Sequence, residues 1–410
     1  MLTESQKIDA LINLSLELSR IKDLDILMEH ILTEARFFVN ADAGSIYIRE
    51  GNRLVFSYTQ NATLQDRLPP GSKLIYSTFS IPIDQNSISG FVAAKGQALN
   101  IPDAWRMDRA LPYCFNQKFD EASGYRTRSM LTIPLKTQQG ETIGVLQIIN
   151  AQDSEKKIRS FSQEDERMML HFASMATVAL ERAQLMRSII LRTIRMAEMR
   201  DPKETGSHVN RVAGIATEIY EKWAKQNGIP QREIDTNRDI LRMAAMLHDA
   251  GKVSISDNIL KKAGKLSDEE YEMMKSHTLE GARIFADQRS EFDGAAFAVS
   301  LSHHERWDGR GYPGHVDVLT GRPLTGKTGP DGRPLGKKGE EIPLFGRIVA
   351  IADVFDALSS KRSYKEAWDE SQALRIMEEE SGKQFDPELI QVFFSCLDSI
   401  RQTQQRYSDD

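Results

Sequence analysis

Only two cysteines, Cys114 and Cys396, occur among 410 residues, and they stand too far apart to make a C-x-x-C site. A disulfide framework and a thiolate metal site are therefore not expected, and a reducing compartment is. No uninterrupted apolar run approaches about 18 residues, and the N-terminal MLTESQKIDA has neither a basic stretch nor an apolar core. The expectation is a cytoplasmic chain with no membrane span and no secretion signal. An excess of one charge is also missing: 53 Lys and Arg against 59 Asp and Glu leave −6. That mild acidity offers no footprint for polymeric nucleic acid or an anionic bilayer, so a phosphate-bearing ligand would need a local basic pocket. What remains is an ordinary globular composition, 40% hydrophobic and 27% charged, long enough for two or three domains at roughly 100–200 residues each.

The first part reads as α/β. Residues 24–39 carry Leu24, Leu27, Ile31, Ala35 and Phe38 on one helical face, and residues 5–20 have similar spacing. Strands are predicted at 45–50, 53–59, 79–84, 129–136 and 142–150, separated by the turn signals EGN and QQGE, with a helix near 87–95. A small antiparallel sheet covered by helices follows. From Gln163 to Asp201 there is neither Gly nor Pro, and Ser162 stands as a helix cap. Placing Met169, Ala176, Ala183, Ile190 and Ala197 at heptad position a puts Phe172, Ala179, Met186 and Thr193 at d. That seam predicts a dimeric coiled coil linking two domains; the alternative is a helix packed on its own domain.

Beyond residue 187 the periodicity is helical, at 208–227, 232–248, 268–288, 292–303 and 345–359. An α-bundle is expected, interrupted by the Gly- and Pro-rich stretch 309–343. Between Val316 and Gly339 this stretch holds five basic and two acidic residues, which suits a mobile basic flap or a solvated insertion. Its GRPLTGKT (321–328) matches the phosphate-loop pattern. That pattern works only between a strand and a helix N-terminus, and the following GPDGRPLGKKG cannot form a helix, so nucleoside-triphosphate hydrolysis is rejected.

The richest feature is histidine. Six of eight, His208, His248, His277, His303, His304 and His315, fall in little more than a quarter of the chain. They are interleaved with Asp249, Asp353 and Asp356 at the ends or within apolar helices. A carboxylate in such a setting is costly unless paired or metal-bound, and imidazole with carboxylate is the usual non-thiolate ligand set. His30 and His171 lie outside the cluster, and His315 reads as a solvated loop residue. With no cysteine involved, iron or manganese is favoured over structural zinc.

The helical half resembles the HD-GYP family of metal-dependent phosphodiesterases, in TGSHVNRV (205–212), HDAGK (248–252), HHERWDGRGYP (303–313) and ADVFDALSSKRSYK (352–365). The resemblance implies an all-α HD-type bundle over 204–400, with an inserted loop at 314–341 longer than the family usually shows. It implies hydrolysis of cyclic di-GMP to the linear dinucleotide pGpG, in some members on to GMP. Another cyclic dinucleotide such as cyclic GMP-AMP, or a catalytically silent receptor, are the alternatives. By resemblance the metal ligands are Glu204, His208, His248, Asp249, His277, His303, His304 and Asp353, for two or three ions. Asp249 would bridge them, and Glu204 would serve a third. Lys252, Tyr312, Arg362 and Lys365 resemble substrate contacts, with Asp249 and Lys252 catalytic; Asp356 is expected either behind a metal ligand or near the scissile phosphate. The chemistry is coherent, since paired cations neutralise the phosphodiester and ready a water for in-line attack. The GYP-containing loop is also implied as a docking point for diguanylate-cyclase domains.

Residues 1–160 resemble a GAF sensor domain, in ADAGSIYIRE (41–50), SISGFVAAKGQALNIPDAW (87–105) and the stretch 118–150. Asn116, Lys118 and Phe119-Asp120-Glu121 resemble part of a cyclic-nucleotide-binding signature in compressed form. A cyclic nucleotide is one expected ligand; a packing and dimerisation module with another ligand or none is the other. The expected whole is multidomain: a GAF domain, a connecting helix over 161–203, and the HD-type bundle, assembled as a homodimer.

Overall fold

A computed structural model describes residues 16–18, 20–69, 79–198, 206–262, 264–359 and 369–407. Glu204, Arg362 and Lys365 lie outside them, as does most of the helix expected over 5–20. Two compact units result, Met1–Met186 and Arg187–Asp410.

In the first unit, helix α1 (Leu24–Phe38) starts where the Asp23 side chain accepts from the amides of Asp25 and Ile26. The strands are β1 (Ala41–Glu50), β2 (Arg53–Asn61), β3 (Ser80–Pro82), β4 (Leu99–Ile101), β5 (Met130–Lys136), β6 (Thr142–Gln152) and β7 (Ile158–Arg159). They form one antiparallel sheet in the order β3-β2-β1-β6-β5-β4, with β7 added to β6. Short helices α2 (Ala62–Gln65), α3 (Ile88–Lys95) and α4 (Lys118–Ser123) fill the connections, α3 being capped by Ser87. Apolar side chains of α1 (Leu27, Ile31, Leu32) meet Ile46, Ile133, Leu146 and Ile148 of the sheet in one core.

Helix α5 (Gln163–Glu198) opens with a reciprocal cap: the Asp165 amide donates to Ser162 Oγ, and the Ser162 amide donates to the Asp165 carboxylate. Part of the expected coiled-coil seam packs within this unit, as the alternative of a helix on its own domain has it. Met169, Phe172, Ala176, Ala179 and Ala183 are all buried in the core of their own unit, with α1 and the sheet. A helix lying on a sheet buries the same 3–4 spacing that a dimer would, so the pattern alone does not choose between them.

The second unit is helical: α6 (Gly206–Gln226), α7 (Gln231–Met246), α8 (Asp257–Leu260), α9 (Asp268–Ile284), α10 (Glu291–Ser302), α11 (Leu344–Ser359), α12 (Glu370–Glu379), α13 (Pro387–Ser395) and α14 (Leu397–Arg406). Val212, Ile215 and Ile219 of α6 pack with Leu241 of α7, Val299 of α10, Ile348 and Phe355 of α11 and Phe393 of α13. This core fixes the helix ends from which the histidines project. Among the described residues no helix is long and apolar enough to cross a membrane.

The insertion carries internal backbone pairing. Bridges pair Val316 with Pro323 and Thr328 with Pro334, and the Leu335 amide donates to the Lys327 carbonyl at 2.8 Å. Buried Glu305 gathers both stems, accepting from the Gly314 amide at 2.6 Å and the Lys337 amide at 3.1 Å. Burial lifts the Glu305 carboxyl to about 7, although these amides oppose the shift. The ribbon is also tied to α9, because Arg283 donates to the carbonyls of Val318 and Leu319. No helix follows GRPLTGKT, consistent with rejecting the phosphate-loop reading.

Candidate metal centre

Five elements deliver the site. His208 sits near the start of α6, and His248-Asp249 lie in the turn between the end of α7 and a short 3₁₀ helix (Ala250–Ser254). His277 lies on α9, His303-His304 at the end of α10, and Asp353 with Asp356 on α11. Gly251 makes the approach possible. A Cβ there would stand 2.0 Å from the His277 carbonyl oxygen and 2.3 Å from the Gly281 amide nitrogen, so only glycine lets the turn rest on α9.

Two groups of donor atoms assemble, each within 4.8 Å: Asp249, His277, His303 and His304, and His208, His248 and Asp353. Asp249 faces both. Its Oδ1 is 3.1 Å from His277 Nε2 and 3.5 Å from His303 Nε2, while its Oδ2 is 3.3 Å from His248 Nε2. In the second group, Asp353 Oδ1 is 3.7 Å from His208 Nε2 and 3.9 Å from His248 Nε2.

The protons on these rings can be placed. Nδ1 of His248 lies 2.8 Å from the Ala245 carbonyl, Nδ1 of His277 2.7 Å from that of Met274, and Nδ1 of His303 3.0 Å from that of Val299. A carbonyl only accepts, so each Nδ1 donates and each Nε2 of the neutral ring presents a lone pair inward. His277 Nε2 and His303 Nε2 are then two acceptors 3.4 Å apart, beside a carboxylate that also accepts. A cation placed among these acceptors would reconcile them. Imidazole nitrogen, carboxylate oxygen and no thiolate fit divalent ions, and either group can hold one.

Electrostatics keep Asp249, His303 and His304 in the ligating form. Burial pushes the Asp249 carboxyl up, but neighbouring positive charge, Lys252 foremost, outweighs it and holds it well below the usual range. Burial lowers His303 against the pull of Asp249, and burial with the neighbouring His303 and His277 drives His304 well below 6.5. Neutral imidazoles and an ionised carboxylate are what metal binding requires.

Of the two places expected for Asp356, behind a ligand or near the scissile phosphate, the structure has the first: it is fully buried beneath His208. Its Oδ2 accepts from His208 Nδ1 at 2.8 Å and from the Arg211 guanidinium at 3.1 Å, and its Oδ1 accepts from Arg211 Nε at 2.6 Å. Burial raises its pKa, yet these partners bring it down to about 2. Asp356 orients His208, as a carboxylate behind a metal-facing histidine does. Arg211 was missed by the sequence reading. Its one signal is an arginine three residues after His208 in a helix otherwise apolar on that side.

At the mouth, Lys252 Nζ stands 2.7 Å from Asp249 Oδ2. The Tyr312 ring lies 5.0 Å from that of His304, at 31°. His315 joins neither group and pairs with Glu341 at 3.3 Å.

In the first unit a cavity of about 120 Å³ is lined by Phe56, Phe115, Asn116, Phe119, Asp120, Tyr125 and Gln147 among others. The Asp120 carboxylate is committed to structure, accepting from Trp105 Nε1, the Thr127 amide and Thr127 Oγ1. None of the described lining residues is basic.

Comparison with known proteins was made on this footing. A GAF domain family model matches residues 23–180, and HD domain models match 205–358 and 328–389. A Vibrio cholerae protein named 3'3'-cGAMP-specific phosphodiesterase 2 is 36% identical over 199 residues, 48% of this chain and 32% of its own length. A cyclic di-GMP phosphodiesterase of the same organism is 37% identical over 205 residues, 49% of this chain and 37% of its own. A Thermotoga maritima cyclic di-GMP phosphodiesterase is 36% identical over 215 residues, 52% of this chain and 50% of its own. The chain thus spans between a third and a half of the length of these relatives. It carries a GAF domain followed by an HD domain.

Proposed function

We propose that the chain is a metal-dependent phosphodiesterase that hydrolyses cyclic di-GMP to pGpG, with GMP as the alternative end product, under control of its GAF domain. One observation carries this reading: the Asp249 carboxylate divides its oxygens between two ligand groups, as a bridging ligand does. The names of relatives support the substrate class, and the one named for cyclic GMP-AMP makes that dinucleotide the second candidate.

His277, His303 and His304 would hold one ion and His208, His248 and Asp353 the other, with Asp249 shared; Glu204 is the candidate ligand for a third. Iron or manganese suits this all-nitrogen-and-oxygen set. Bound divalent ions supply Lewis acidity toward the phosphodiester and lower the pKa of a water nucleophile. The chain's own part is to place charge around the phosphate. Lys252 brings its ammonium to the rim beside Asp249, where a non-bridging oxygen would be neutralised. Tyr312 lines the wall next to His304, and burial keeps its hydroxyl protonated, so it can donate a hydrogen bond. Arg362 and Lys365 are proposed as further phosphate contacts.

The small cavity of the GAF domain supports a compact regulatory ligand; a cyclic nucleotide would meet no basic side chain among its described lining residues. A second copy of the chain is the proposed partner of α5, where Leu170, Val178 and Leu185 stay exposed with 7-residue spacing between the last two. Docking of a diguanylate-cyclase domain at the GYP-containing loop is retained as a proposal from the family resemblance alone.

The test is elemental analysis of anaerobically purified protein, with product analysis under iron(II) or manganese(II). Two or three ions per chain and conversion of cyclic di-GMP are expected. Asp249→Ala and His304→Ala should lose metal and turnover while remaining folded. A metal-loaded protein that turns over no cyclic dinucleotide would identify a receptor instead.

A further inference from the structure

We infer that Glu272 and Lys275, one turn apart on α9, form a guanine-reading subsite at the mouth of the metal centre, with Tyr271 and Tyr312 as its stacking surfaces. This rests on the phosphodiesterase reading and addresses which purine that site selects.

A continuous wall leads outward from the ligands. The Tyr312 ring lies 5.0 Å from His304, and Lys275 Nζ stands 5.4 Å from the Tyr312 ring centroid and 4.7 Å from that of Tyr271. Tyr271 is 48% exposed, so ring surface remains for a base to stack upon. Lys275 Nζ meets Glu272 Oε1 at 2.9 Å, and Arg333 of the insertion reaches the same oxygen at 3.4 Å. Both cations gather on Oε1, and among the described residues no hydrogen bond reaches Oε2, the acceptor offered to a ligand.

The pair carries base information. An ammonium only donates and a carboxylate only accepts. Guanine offers acceptors at O6 and N7 next to donors at N1 and N2, which match the ammonium and the carboxylate in turn. Adenine keeps the N7 acceptor but presents an amino donor where guanine has O6 and an acceptor at N1, so a Lys275 contact to O6 and a Glu272 contact to N1 would both be wrong. An exposed ion pair of this spacing adds little to stability, so the fold does not require it beside two tyrosines. The insertion also gains a task. Held on α9 through Arg283, it sets Arg333 against Glu272 and steadies the recognition carboxylate.

The experiment measures, on the full-length metal-loaded protein, kcat/KM for cyclic di-GMP and the inhibition constant of cyclic di-AMP against it. Glu272→Gln and Lys275→Met should each erode the preference for guanine by about tenfold or more, at unchanged metal content. Tyr271→Ala should weaken both ligands together. The ratio is read within each variant, so a general loss of folded protein cannot imitate the effect. Unchanged ratios in both polar variants would overturn the subsite and leave the phosphodiesterase reading standing. A metal-loaded wild-type protein inert toward cyclic dinucleotides would overturn both.

Discussion

Replacing Asp356 with Asn separates a supporting role from a substrate-binding one. Three donors converge on the carboxylate, from His208 Nδ1 and from two nitrogens of Arg211, at 2.8, 2.6 and 3.1 Å. An amide offers one acceptor and adds a donor, so the buried Arg211 guanidinium loses its counter-charge and one contact turns repulsive. Breaking a buried charge pair by removing one partner costs about 3–5 kcal/mol. At about 2–4 °C per kcal/mol for a domain of this size, the HD domain should melt roughly 6–20 °C lower. Tryptophan fluorescence reports this, because Trp223 and Trp307 both lie in that domain. Freed from its anchor, His208 can take the wrong tautomer, and metal affinity in its group should fall by about 10–100-fold. The double variant Asp356→Leu/Arg211→Leu should regain much of the stability without the affinity, since it removes both charges but restores no anchor for His208. A single variant with wild-type melting and metal binding, altered only in KM for substrate, would refute the supporting role.

The same carboxylate makes a pH prediction. Its folded pKa of about 2 lies below the ordinary 3.8, so it stabilises the fold above 3.8, and that contribution disappears as pH falls through 2. The difference corresponds to about 2 kcal/mol, and stability curves of wild type and Asp356→Asn should converge in that window. Gly251→Ala should cost about 1–3 kcal/mol or more, because its Cβ meets backbone rather than a yielding side chain, and should reduce bound metal by shifting Asp249 against His277. Ala176→Glu should unfold the GAF domain, whereas Leu185→Glu should leave it folded and lower the mass seen by light scattering. The reverse pattern would restore the heptad seam first read from the sequence.

The histidine cluster was legible because each ligand sits in a local context that advertises it: His248-Asp249 at a helix end, His303-His304 at another, Asp353 inside an apolar helix. Asp353 and Asp356 illustrate where legibility stops. Three residues apart on α11, they share a face by spacing, yet one meets the ligand group and the other lies beneath His208. Which does which depends on the crossing of α6 over α11, a tertiary fact with no local trace. Arg211 escaped for the same reason. In the first unit, β4 and β7 span three and two residues, too short for alternation to register. The insertion's internal pairing was not legible: it comes from backbone hydrogen bonds and from Glu305 holding both stems, neither of which leaves a hydrophobic period.

Pre-organisation connects the ligands to the outer wall. His248, His277 and His303 fix their rings on carbonyls three or four residues back in their own helices or helix ends, so ring orientation is set by secondary structure before any ion arrives. The entropy of ordering those side chains is then spent in folding rather than in binding. Helix α9 extends that rigidity outward. His277 faces the ligands at 2% exposure, while Glu272 and Lys275 of the same helix stand beside the tyrosines, and Gly251 and Arg283 clamp the helix from two sides. A ligand held at the outer wall would therefore be held in register with the ions, because no hinge lies between the two sets of side chains on α9.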